Sequence, residues 1–331
     1  MSLKLSIALT SNPRTWPVLD GRVKPDGIDL VITRLTPSEM FWRQLKFAEF
    51  DASEMSMSSL IMAVASGDER WTGIPVFTTR RFYHSHILVR RDAGIEKPAD
   101  LKGKRVGVHE YQQTAALWTR GVLEHEFGVT PRDMPFWMER IPSHSHRGAV
   151  GFDNPPGVTI HQIPGEKDIG EMMLSGELQA AFHYSLPERN LIDRSRANLI
   201  ADERIKPLFP HQAAEGARYF AKTGLFPINH GMVVQREIMK QHPWVALNLL
   251  DCFNRANAIA ERERLAQSEY HAAAGLLGTS ADKGLRTQLV THGVKANTPV
   301  LETLAQYSQE QGLTNRRVAL SEIFAESTLE Q

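Results

Sequence analysis

The order of strands, polar loops and helices over the first 60 residues constrains the fold more than any other feature of this chain. Residues 3–9 and 28–35 have the apolar pattern of strands, residues 38–47 that of a helix, and residues 51–55 that of a third strand. The segment Thr36-Pro-Ser-Glu39 matches a capping box with proline at the first helical position, which marks a helix start. This alternation predicts a parallel sheet whose ligand-facing loops are residues 10–14 and 54–58.

A second strand–loop–helix unit lies at residues 101–116. A turn at Gly103 leads into a strand at 104–108, and polar side chains from His109 to Thr114 open a helix at 113–126 that ends at Gly128. Sites on parallel sheets lie at the carboxyl ends of strands beside helix N-termini, whose free N–H groups favour anions. This unit therefore predicts a second lobe that faces the first across a ligand site.

The remaining pattern predicts an α/β chain of two lobes. Further strands are expected at 74–78, 85–90, 136–140, 158–163, 178–182 and 226–234, and helices at 242–264, 265–275, 281–292 and 299–311. Residues 96–101, which contain Pro98 and several charges, and residues 226–234 are predicted to cross between the lobes. Lobe one would comprise residues 1–100 and 229–331, and lobe two residues 101–228. The two crossovers would form a hinge, and the C-terminal region would be helical.

Composition and charge exclude several classes of partner. The 331 residues include 38 Lys plus Arg and 38 Asp plus Glu, and this balance argues against nucleic-acid or membrane-surface binding. A single cysteine, Cys252, excludes an intramolecular disulfide and is expected to be buried filler. The N-terminus alternates like a strand instead of forming a signal peptide, and no apolar stretch approaches the roughly 20 residues of a membrane span. We therefore expect a cytoplasmic protein.

Cations are concentrated between two predicted strands, at Arg80, Arg81 and His84, and Arg14 lies on a strand-end loop of the same lobe. A guanidinium binds a carboxylate through two parallel hydrogen bonds, so several arginines around one cleft would suit a dicarboxylate. The alternative is a pair of surface arginines. His84 could transfer protons near neutral pH or could be a strand histidine with a structural partner.

Glu54 is the carboxylate placed best for proton transfer. It could act as a general acid or base if a dry site raises its pKa, or it could pair with an arginine. Two His-x-His pairs, His84/His86 and His144/His146, have a spacing that can hold zinc, but no third ligand is evident nearby. The pairs are therefore a weak metal motif, and no metal site is assigned from the sequence, which leaves the metal requirement open.

Six further polar residues could contact a ligand. Tyr111, Gln112 and Thr114 can donate hydrogen bonds to carboxylate or phenolic oxygens, although helix capping explains Thr114 equally well. His183, Asn229 and His230 lie at predicted strand ends facing the cleft, with structural capping as the alternative. The chain has no P-loop, G-x-G-x-x-G, G-x-S-x-G or Cys-x-x-Cys pattern, which disfavours nucleotide, hydrolase and redox functions.

Four segments of the chain resemble the 4,5-dihydroxyphthalate decarboxylase family. They are Glu54-Met-Ser-Met-Ser-Ser59, Arg81-Phe-Tyr-His-Ser85, Lys102-Gly-Lys-Arg-Val-Gly-Val108 after a Pro-Ala-Asp-Leu linker, and Asn229-His-Gly-Met-Val233. The similarity extends over nearly the whole chain. It implies a two-lobed, periplasmic-binding-protein-like (type II) fold. Thiamine-pyrimidine synthesis proteins share that fold, but membership among them would require a cysteine-rich iron-binding segment.

The resemblance implies decarboxylation of an aromatic dihydroxy dicarboxylate, 4,5-dihydroxyphthalate, to protocatechuate and carbon dioxide in phthalate breakdown. Each hydroxyl of such a substrate is para to a carboxyl-bearing carbon. Deprotonation of the phenol therefore pushes electrons to that carbon, which accepts a proton before carbon dioxide leaves. This route needs no organic cofactor. We expect no cofactor, a small aromatic carboxylate as substrate, and a homo-oligomer.

The hypothesis assigns a role to each candidate residue. Carboxylate binding is assigned to Arg14, Arg80 and Arg81. Proton delivery to the ring carbon is assigned to Glu54 and His84. The phenolic oxygens are assigned to His183 or His230 with Tyr111, and the remaining substrate contacts to Gln112, Thr114 and Asn229. The alternative function is a non-enzymatic binding protein or sensor for a small aromatic carboxylate, because the fold by itself does not fix the function.

Overall fold

The computed structural model describes residues 2–184, 190–278, 284, 286 and 291–331, and within them it has the predicted α/β architecture with two sheets. The strands are β1 (Leu3–Leu9), β2 (Ile28–Arg34), β3 (Ala52–Ser56), β4 (Trp71–Arg80), β5 (Leu88–Arg90), β6 (Val106–Val108), β7 (Phe136–Met138), β8 (Ile160–Gln162), β9 (Ala180–Ala181), β10 (Ile205–Pro207) and β11 (Ile228–Gln235). The helices are α1 (Trp16–Leu19), α2 (Pro37–Phe47), α3 (Met57–Ala65), α4 (Thr114–Phe127), α5 (Ile169–Ser175), α6 (Gln212–Thr223), α7 (Arg236–Gln241), α8 (Val245–Ala273), α9 (Thr298–Glu310) and α10 (Leu320–Ile323).

The first sheet has the strand order β2-β1-β3-β11-β4. Strand β1 runs parallel to β2 and β3, while β11 runs antiparallel to β3 and β4. Strand β3 is buried along its whole length, as a central strand covered on both faces should be. Because β11 is antiparallel to its neighbours, its first residues lie beside the carboxyl ends of β3 and β4, and β1 ends at the same edge. This edge of the first sheet therefore collects residues from four strands.

The second sheet has the order β10-β5-β9-β6-β7-β8. Strands β9, β6, β7 and β8 run parallel, so the residues that follow them lie at one edge. Gly128, with a φ of 65°, ends helix α4 in the left-handed conformation, as predicted. Asp168 caps helix α5 by accepting a hydrogen bond from the Glu171 amide.

The chain crosses between the sheets earlier than the sequence suggested. Strand β5 belongs to the second sheet, so the first crossing lies between Arg80 and Leu88, ahead of the predicted linker at residues 96–101. The predicted strand at 85–90 is correspondingly short, because Tyr83–His86 forms a 3-10 turn in which Ser85 Oγ donates to the carbonyl of Phe82. The return crossing falls between β10 and β11, close to the predicted position.

Two other boundaries differ from the sequence-based expectation. Helix α2 begins at Pro37 as predicted, but Thr36 makes no side-chain capping bond and the Glu39 carboxylate lies 3.4 Å from Arg43. Helix α8 is continuous to Ala273, since no glycine or proline interrupts residues 245–273. The predicted helix at 281–292 lies largely outside the described residues. Cys252 is buried in α8, as expected. Within the described part of the chain, no helix is long and apolar enough to span a membrane.

The two sheets are joined by direct contacts around helix α4. The indole Nε1 of Trp118 donates to the carbonyl of Ile228 at 2.9 Å, and the amide of Ser58 donates to Thr114 Oγ1 at 2.9 Å. On the opposite side, Arg140 bonds the hydroxyl of Ser38 at the start of α2. The carboxyl edges of the two sheets consequently face each other.

Candidate active site

The edge of the first sheet brings Glu54 and His230 together. His230 is paired with Ser56 across the β11–β3 ladder, and the bulge in β11 lies beside it. The carboxylate of Glu54 is fully buried, and its Oε2 accepts from Nδ1 of His230 at 3.2 Å. Its Oε1 accepts from both the amide and the hydroxyl of Thr10, at 2.7 and 2.6 Å, and the hydroxyl of Thr78 donates to Oε2. Every oxygen of this carboxylate is therefore occupied.

These contacts decide the charge of Glu54. Burial opposes its ionisation most strongly, but the interaction with His230 and the hydrogen bonds from Thr10 and Thr78 together outweigh burial. The pKa of Glu54 is consequently held below its usual value, and the side chain is an anion at neutral pH. The expectation that a dry environment raises this pKa is wrong, because the desolvation is overcome by four hydrogen bonds. Glu54 is placed to orient and charge-stabilise a histidine, not to donate a proton itself.

One ring nitrogen of His230 is hydrogen-bonded to Glu54, and the other is accessible. Nδ1 faces Glu54, while Nε2 has no partner among the described residues and is not enclosed by them. The ring of Phe41 packs edge-on against His230 with centroids 4.8 Å apart and fixes its plane. A histidine held in this way presents one basic or acidic nitrogen in a defined direction.

The predicted arginines have different environments. Arg81 is exposed and makes no side-chain hydrogen bond or ion pair to the described residues. Arg14 is half-buried and bonds the carbonyl of Thr78 at 3.0 Å through one guanidinium nitrogen. Arg80 instead donates hydrogen bonds to the C-terminal region, to the carbonyl of Thr291 at 2.9 Å and to the side-chain oxygen of Asn297. Arg80 therefore contributes charge near the site, while Arg14 and Arg81 keep free donors.

The arginines lie close enough to influence one another. Burial, reinforced by the charge of Arg14, lowers the pKa of Arg80 to about 9. Burial also lowers the pKa of Arg14, and neither arginine has a carboxylate within ion-pair distance among the described residues. Glu261 acts on Arg14 only from beyond ion-pair distance, so these guanidinium groups have no described carboxylate in direct contact, which favours the binding of an anionic ligand.

The facing edge of the second sheet has a histidine–carboxylate pair of its own. His109 follows β6 and Glu139 follows β7, and the parallel register of these strands sets the two residues side by side. Nδ1 of His109 lies 3.5 Å from Glu139 and 4.0 Å from Asp193. Nε2 of His109 has no partner within the described ranges and is not enclosed by them. This pair mirrors Glu54 and His230.

Glu139 is held more tightly than Glu54. It accepts hydrogen bonds from the amides of Ile169 and Arg194, at 2.9 and 3.0 Å, and from the amide and hydroxyl of Ser195. Burial opposes its ionisation, but His109 and these donors outweigh burial and hold the pKa of Glu139 far below its usual value. For His109, burial disfavours the charged form, but Glu139 and Asp193 outweigh it and raise the pKa of the imidazole.

His183 lies between the two pairs. It follows β9 with a left-handed φ of 48°, which is uncommon for a residue other than glycine and is concentrated at functional sites. Its ring packs edge-on against Tyr83 with centroids 4.8 Å apart. Burial, followed by the charges of Arg81, His109, His86 and His230, lowers the pKa of His183 well below its usual value. His183 is therefore neutral at pH 7, and its neighbours come from both lobes.

His84 is not at this edge, contrary to the sequence-based expectation. Its side chain is fully buried, Nε2 lies 3.0 Å from Glu215 of helix α6, and Nδ1 is enclosed without a partner among the described residues. The rings of Phe209 and Tyr219 pack around it. The 3-10 turn at Tyr83–His86 rotates His84 toward the helices, so it is a structural histidine.

Three polar residues of the second lobe are buried, not open to a ligand. Tyr111 packs under the Arg120 guanidinium, 3.6 Å from the ring centroid, and its hydroxyl is enclosed. Gln112 donates to Glu110 at 2.7 Å. Thr114 bonds Ser58 across the lobes and is not a helix cap. Their predicted contacts with substrate are not supported in this conformation, because each side chain faces protein.

Asn229 remains at the edge as predicted. It precedes His230 at the bulge of β11, is largely buried, and its Oδ1 has no partner among the described residues. A buried amide oxygen without a partner is unfavourable unless a ligand or water satisfies it. Asn229 therefore keeps its place as a candidate ligand contact.

The two histidines of the loop at residues 143–147 do not converge on one point. His144 packs against Trp42, whereas His146 is buried with Nδ1 3.5 Å from Glu110, so the two rings diverge. No cluster of three or more potential metal ligands occurs among the described residues. Two surface depressions of about 390 and 490 Å³ flank this loop, and Ser143 bonds Trp42 of helix α2. The loop thus connects the lobes beside the site.

Sequence reasoning missed the pair formed by His109 and Glu139. The sequence shows His109 only as one of several polar residues in a loop, and it predicts Glu139 inside a strand, which ends earlier in the structure, at Met138. The available signal was the parallel pairing itself, since polar residues directly after two neighbouring parallel strands must lie side by side. Asp193 and Ser195 gave no signal, because the segment that carries them has no regular structure.

The chain is similar in sequence to two decarboxylases. The 4,5-dihydroxyphthalate decarboxylase of Comamonas testosteroni is 31% identical over 331 residues, which cover 99% of this chain and 98% of that protein. The 4,5-dihydroxyphthalate decarboxylase of Pseudomonas putida is 37% identical over 185 residues, which cover 56% of this chain and 72% of that protein. The family described as the periplasmic substrate-binding protein of phosphonate ABC transporters matches residues 43–151.

Solved structures share the fold at low sequence identity. The aliphatic sulphonate binding protein SsuA of Escherichia coli has a TM-score of 0.56 with 13% identity over 100% of both chains. The desulfurization enzyme DSZB has a TM-score of 0.55 with 16% identity, covering 99% of this chain and 98% of the other. These matches confirm the predicted periplasmic-binding-protein-like fold. The full-length sequence match goes further, and the chain belongs to the 4,5-dihydroxyphthalate decarboxylase family.

Proposed function

We propose that this carboxy-lyase converts 4,5-dihydroxyphthalate to protocatechuate and carbon dioxide at the facing sheet edges. Family membership supplies the reaction class. The observation in the site that carries the proposal is the Glu54–His230 pair, whose accessible His230 Nε2 lies at an edge where Arg14 and Arg81 have no carboxylate in direct contact among the described residues. A histidine backed by a buried carboxylate suits proton transfer from a phenol, and guanidinium groups suit the two carboxylates.

In this proposal His230 accepts the phenolic proton at Nε2. Glu54 holds Nδ1 and stabilises the imidazolium that forms, as a buried carboxylate does in other histidine-based catalytic sites. Arg81 and Arg14 bind the carboxylates through their free donors, and the enclosed oxygen of Asn229 accepts a hydrogen bond from the substrate. His183, neutral between the lobes, contacts the second hydroxyl. Closure of the lobes keeps water away from the ring.

Assignments beyond the reaction remain predictions from the sequence. They are a cytoplasmic location, a homo-oligomeric assembly, and the lack of a nucleic-acid or membrane partner. The balanced charge of 38 cationic and 38 anionic side chains supports the last of these.

The test is incubation of the purified chain with 4,5-dihydroxyphthalate, following carbon dioxide release and protocatechuate formation. The proposal predicts both products in equal amounts. The matched control is His230→Gln, which keeps an amide nitrogen near Glu54 but cannot accept the phenolic proton. Binding of the compound by calorimetry without carbon dioxide release from the unmodified chain would favour the binding-protein alternative.

A further inference from the structure

Decarboxylation of this kind needs a proton donor as well as a base. The para hydroxyl loses its proton to a base, and the carboxyl-bearing ring carbon gains one before the carbon–carbon bond breaks. These atoms lie at opposite ends of the ring, so one group cannot easily serve both. Of the two residues assigned to the donor role from the sequence, Glu54 is an occupied anion and His84 lies among the helices.

We propose that His109 is the proton donor to the ring carbon, and that Glu139 is its positioning residue. This inference rests on the proposed function of the site. His109 presents Nε2 from the second lobe, opposite His230 of the first, while its Nδ1 lies 3.5 Å from Glu139 and 4.0 Å from Asp193. The two pairs thus approach a bound ring from opposite walls, as the chemistry requires.

The surroundings of His109 favour a donor. The carboxylates of Glu139 and Asp193 face its Nδ1, and Arg140, held by Asp193 through bonds of 3.1 and 3.2 Å, lies beyond them. His183 approaches from strand β9, and the ring of Tyr184 stacks on His109 at 6.2 Å. The two carboxylates outweigh burial and the charge of Arg140, so the pKa of His109 is raised and the imidazolium form is available at neutral pH.

The proton and electron changes balance in this scheme. His230 takes the phenolic proton, and the electron pair moves through the ring to the carbon that carries the carboxylate. That carbon forms a bond to the proton from Nε2 of His109. The bond to the carboxylate then breaks, carbon dioxide leaves, and the electron pair returns through the ring to the phenolate, which regains its proton from His230. One proton per turnover is consumed, and solvent restores it to His109 when the lobes open.

The experiment is the pH dependence of kcat and kcat/KM for 4,5-dihydroxyphthalate from about pH 5 to about pH 10. Because His109 acts in its protonated form, activity should fall as the pH rises through its raised pKa. This fall is the alkaline limb of the pH profile. His109→Gln should lose roughly 10²- to 10⁴-fold in kcat, and its residual activity should lack the alkaline limb. Glu139→Gln should move that limb to lower pH, since the charge that favours the imidazolium is removed.

The matched control is His146→Gln. His146 belongs to the same lobe and has Nδ1 3.5 Å from a buried glutamate, but its Nε2 is enclosed. This variant should keep the alkaline limb where the unmodified enzyme has it. Added imidazole should restore activity to His109→Ala, which a purely structural role would not produce, and it should leave the activity of His146→Ala unchanged.

The outcomes separate this inference from the proposed function. An unmodified chain that releases no carbon dioxide contradicts the function itself. An active enzyme whose His109→Gln variant retains kcat within about threefold, with the alkaline limb in place, overturns the donor assignment alone. If His109→Gln does not fold, Asp193→Asn decides, because it removes the second carboxylate that faces Nδ1 of His109. An alkaline limb that does not move to lower pH in this variant overturns the assignment.

Discussion

The two histidine–carboxylate pairs differ in how their carboxylates are held. Glu54 is bound by side chains and one amide of its own sheet, from Thr10, Thr78 and His230. Glu139 is bound mainly by amides of segments that return from other parts of the second lobe, at Ile169, Arg194 and Ser195. The carboxylate of the first pair is therefore held by residues of its own sheet. The carboxylate of the second pair is held by the start of helix α5 and by residues 194–195.

This difference has consequences for chemistry and for stability. The Glu54–His230 pair has a rigid frame, with Phe41 against the imidazole, which suits a base that must meet a phenol in one orientation. The Glu139–His109 pair also stabilises the folded second lobe, because three backbone amides donate hydrogen bonds to the Glu139 carboxylate. Substitutions in the first pair should act mostly on turnover, and those in Glu139 on both turnover and folding.

The largest effect is expected for His230→Gln. Loss of the base should reduce kcat by roughly 10²- to 10⁴-fold while the fold survives, because Gln preserves the volume and a donor to Glu54. The check is steady-state carbon dioxide release together with the thermal unfolding midpoint. A variant of unchanged midpoint and near-normal kcat would remove His230 from the site.

Glu139→Gln should destabilise the protein more than any other single change in the two pairs. A buried carboxylate that satisfies several amides is replaced by a side chain that offers them one acceptor, with an expected loss of about 3–5 kcal/mol in the free energy of unfolding. Because folding lowers the pKa of Glu139, its contribution is present above the ordinary carboxyl pKa and fades as the pH falls below it.

Urea unfolding of Glu139→Gln at neutral and at acidic pH measures this contribution. The difference from the unmodified protein should shrink on acidification. The exposed Glu166 supplies the control substitution, Glu166→Gln, which should change the free energy of unfolding by less than about 0.5 kcal/mol. Equal effects of the two substitutions would contradict the account of how the second pair is held.

Arg81→Ala should weaken substrate binding rather than catalysis at saturation. One charge-assisted bond is worth about 1.5–3 kcal/mol, so KM should rise by roughly 10- to 100-fold. The control is Arg105→Ala, because Arg105 is also exposed but precedes β6, at the opposite edge of the second sheet. Similar KM values for the two variants would exclude Arg81 as a carboxylate ligand.

The smallest effect is expected for Tyr111→Phe. The hydroxyl is enclosed without a partner among the described residues, so its removal should leave kcat and KM within about twofold and should raise stability by up to about 1 kcal/mol. Enzyme kinetics and urea unfolding provide the readout. A tenfold or greater fall in kcat would return Tyr111 to the substrate site.

From the sequence, Glu54 and His230 can be assigned to one sheet edge but not to a pair, and the contacts that hold Glu139 cannot be predicted. Glu54 and His230 lie in strands with clear apolar periodicity, so their placement at one sheet edge follows from strand order. Glu139 depends on Ile169, Arg194 and Ser195, which lie 30, 55 and 56 residues away. No local pattern encodes such contacts, and they also decide the charge of His109.

Short strands account for the other differences. The run at residues 85–90 fits a strand of either sheet, and only its pairing with β9 and β10 places it in the second. The turn at Tyr83–His86 then carries His84 away from the site and leaves Arg81 exposed. Because the chain crosses between the sheets a few residues earlier than expected, His84 is removed from the site while Arg81 stays exposed.

The most direct test of the central claim is a double-mutant cycle on Glu54 and His230, measured as kcat for carbon dioxide release from 4,5-dihydroxyphthalate. If the carboxylate acts only through the imidazole, Glu54→Gln, His230→Gln and the double variant should lose kcat to a similar extent, because removal of either member disables the pair. If the losses of the two single variants multiply in the double variant, the residues act independently and the account is contradicted.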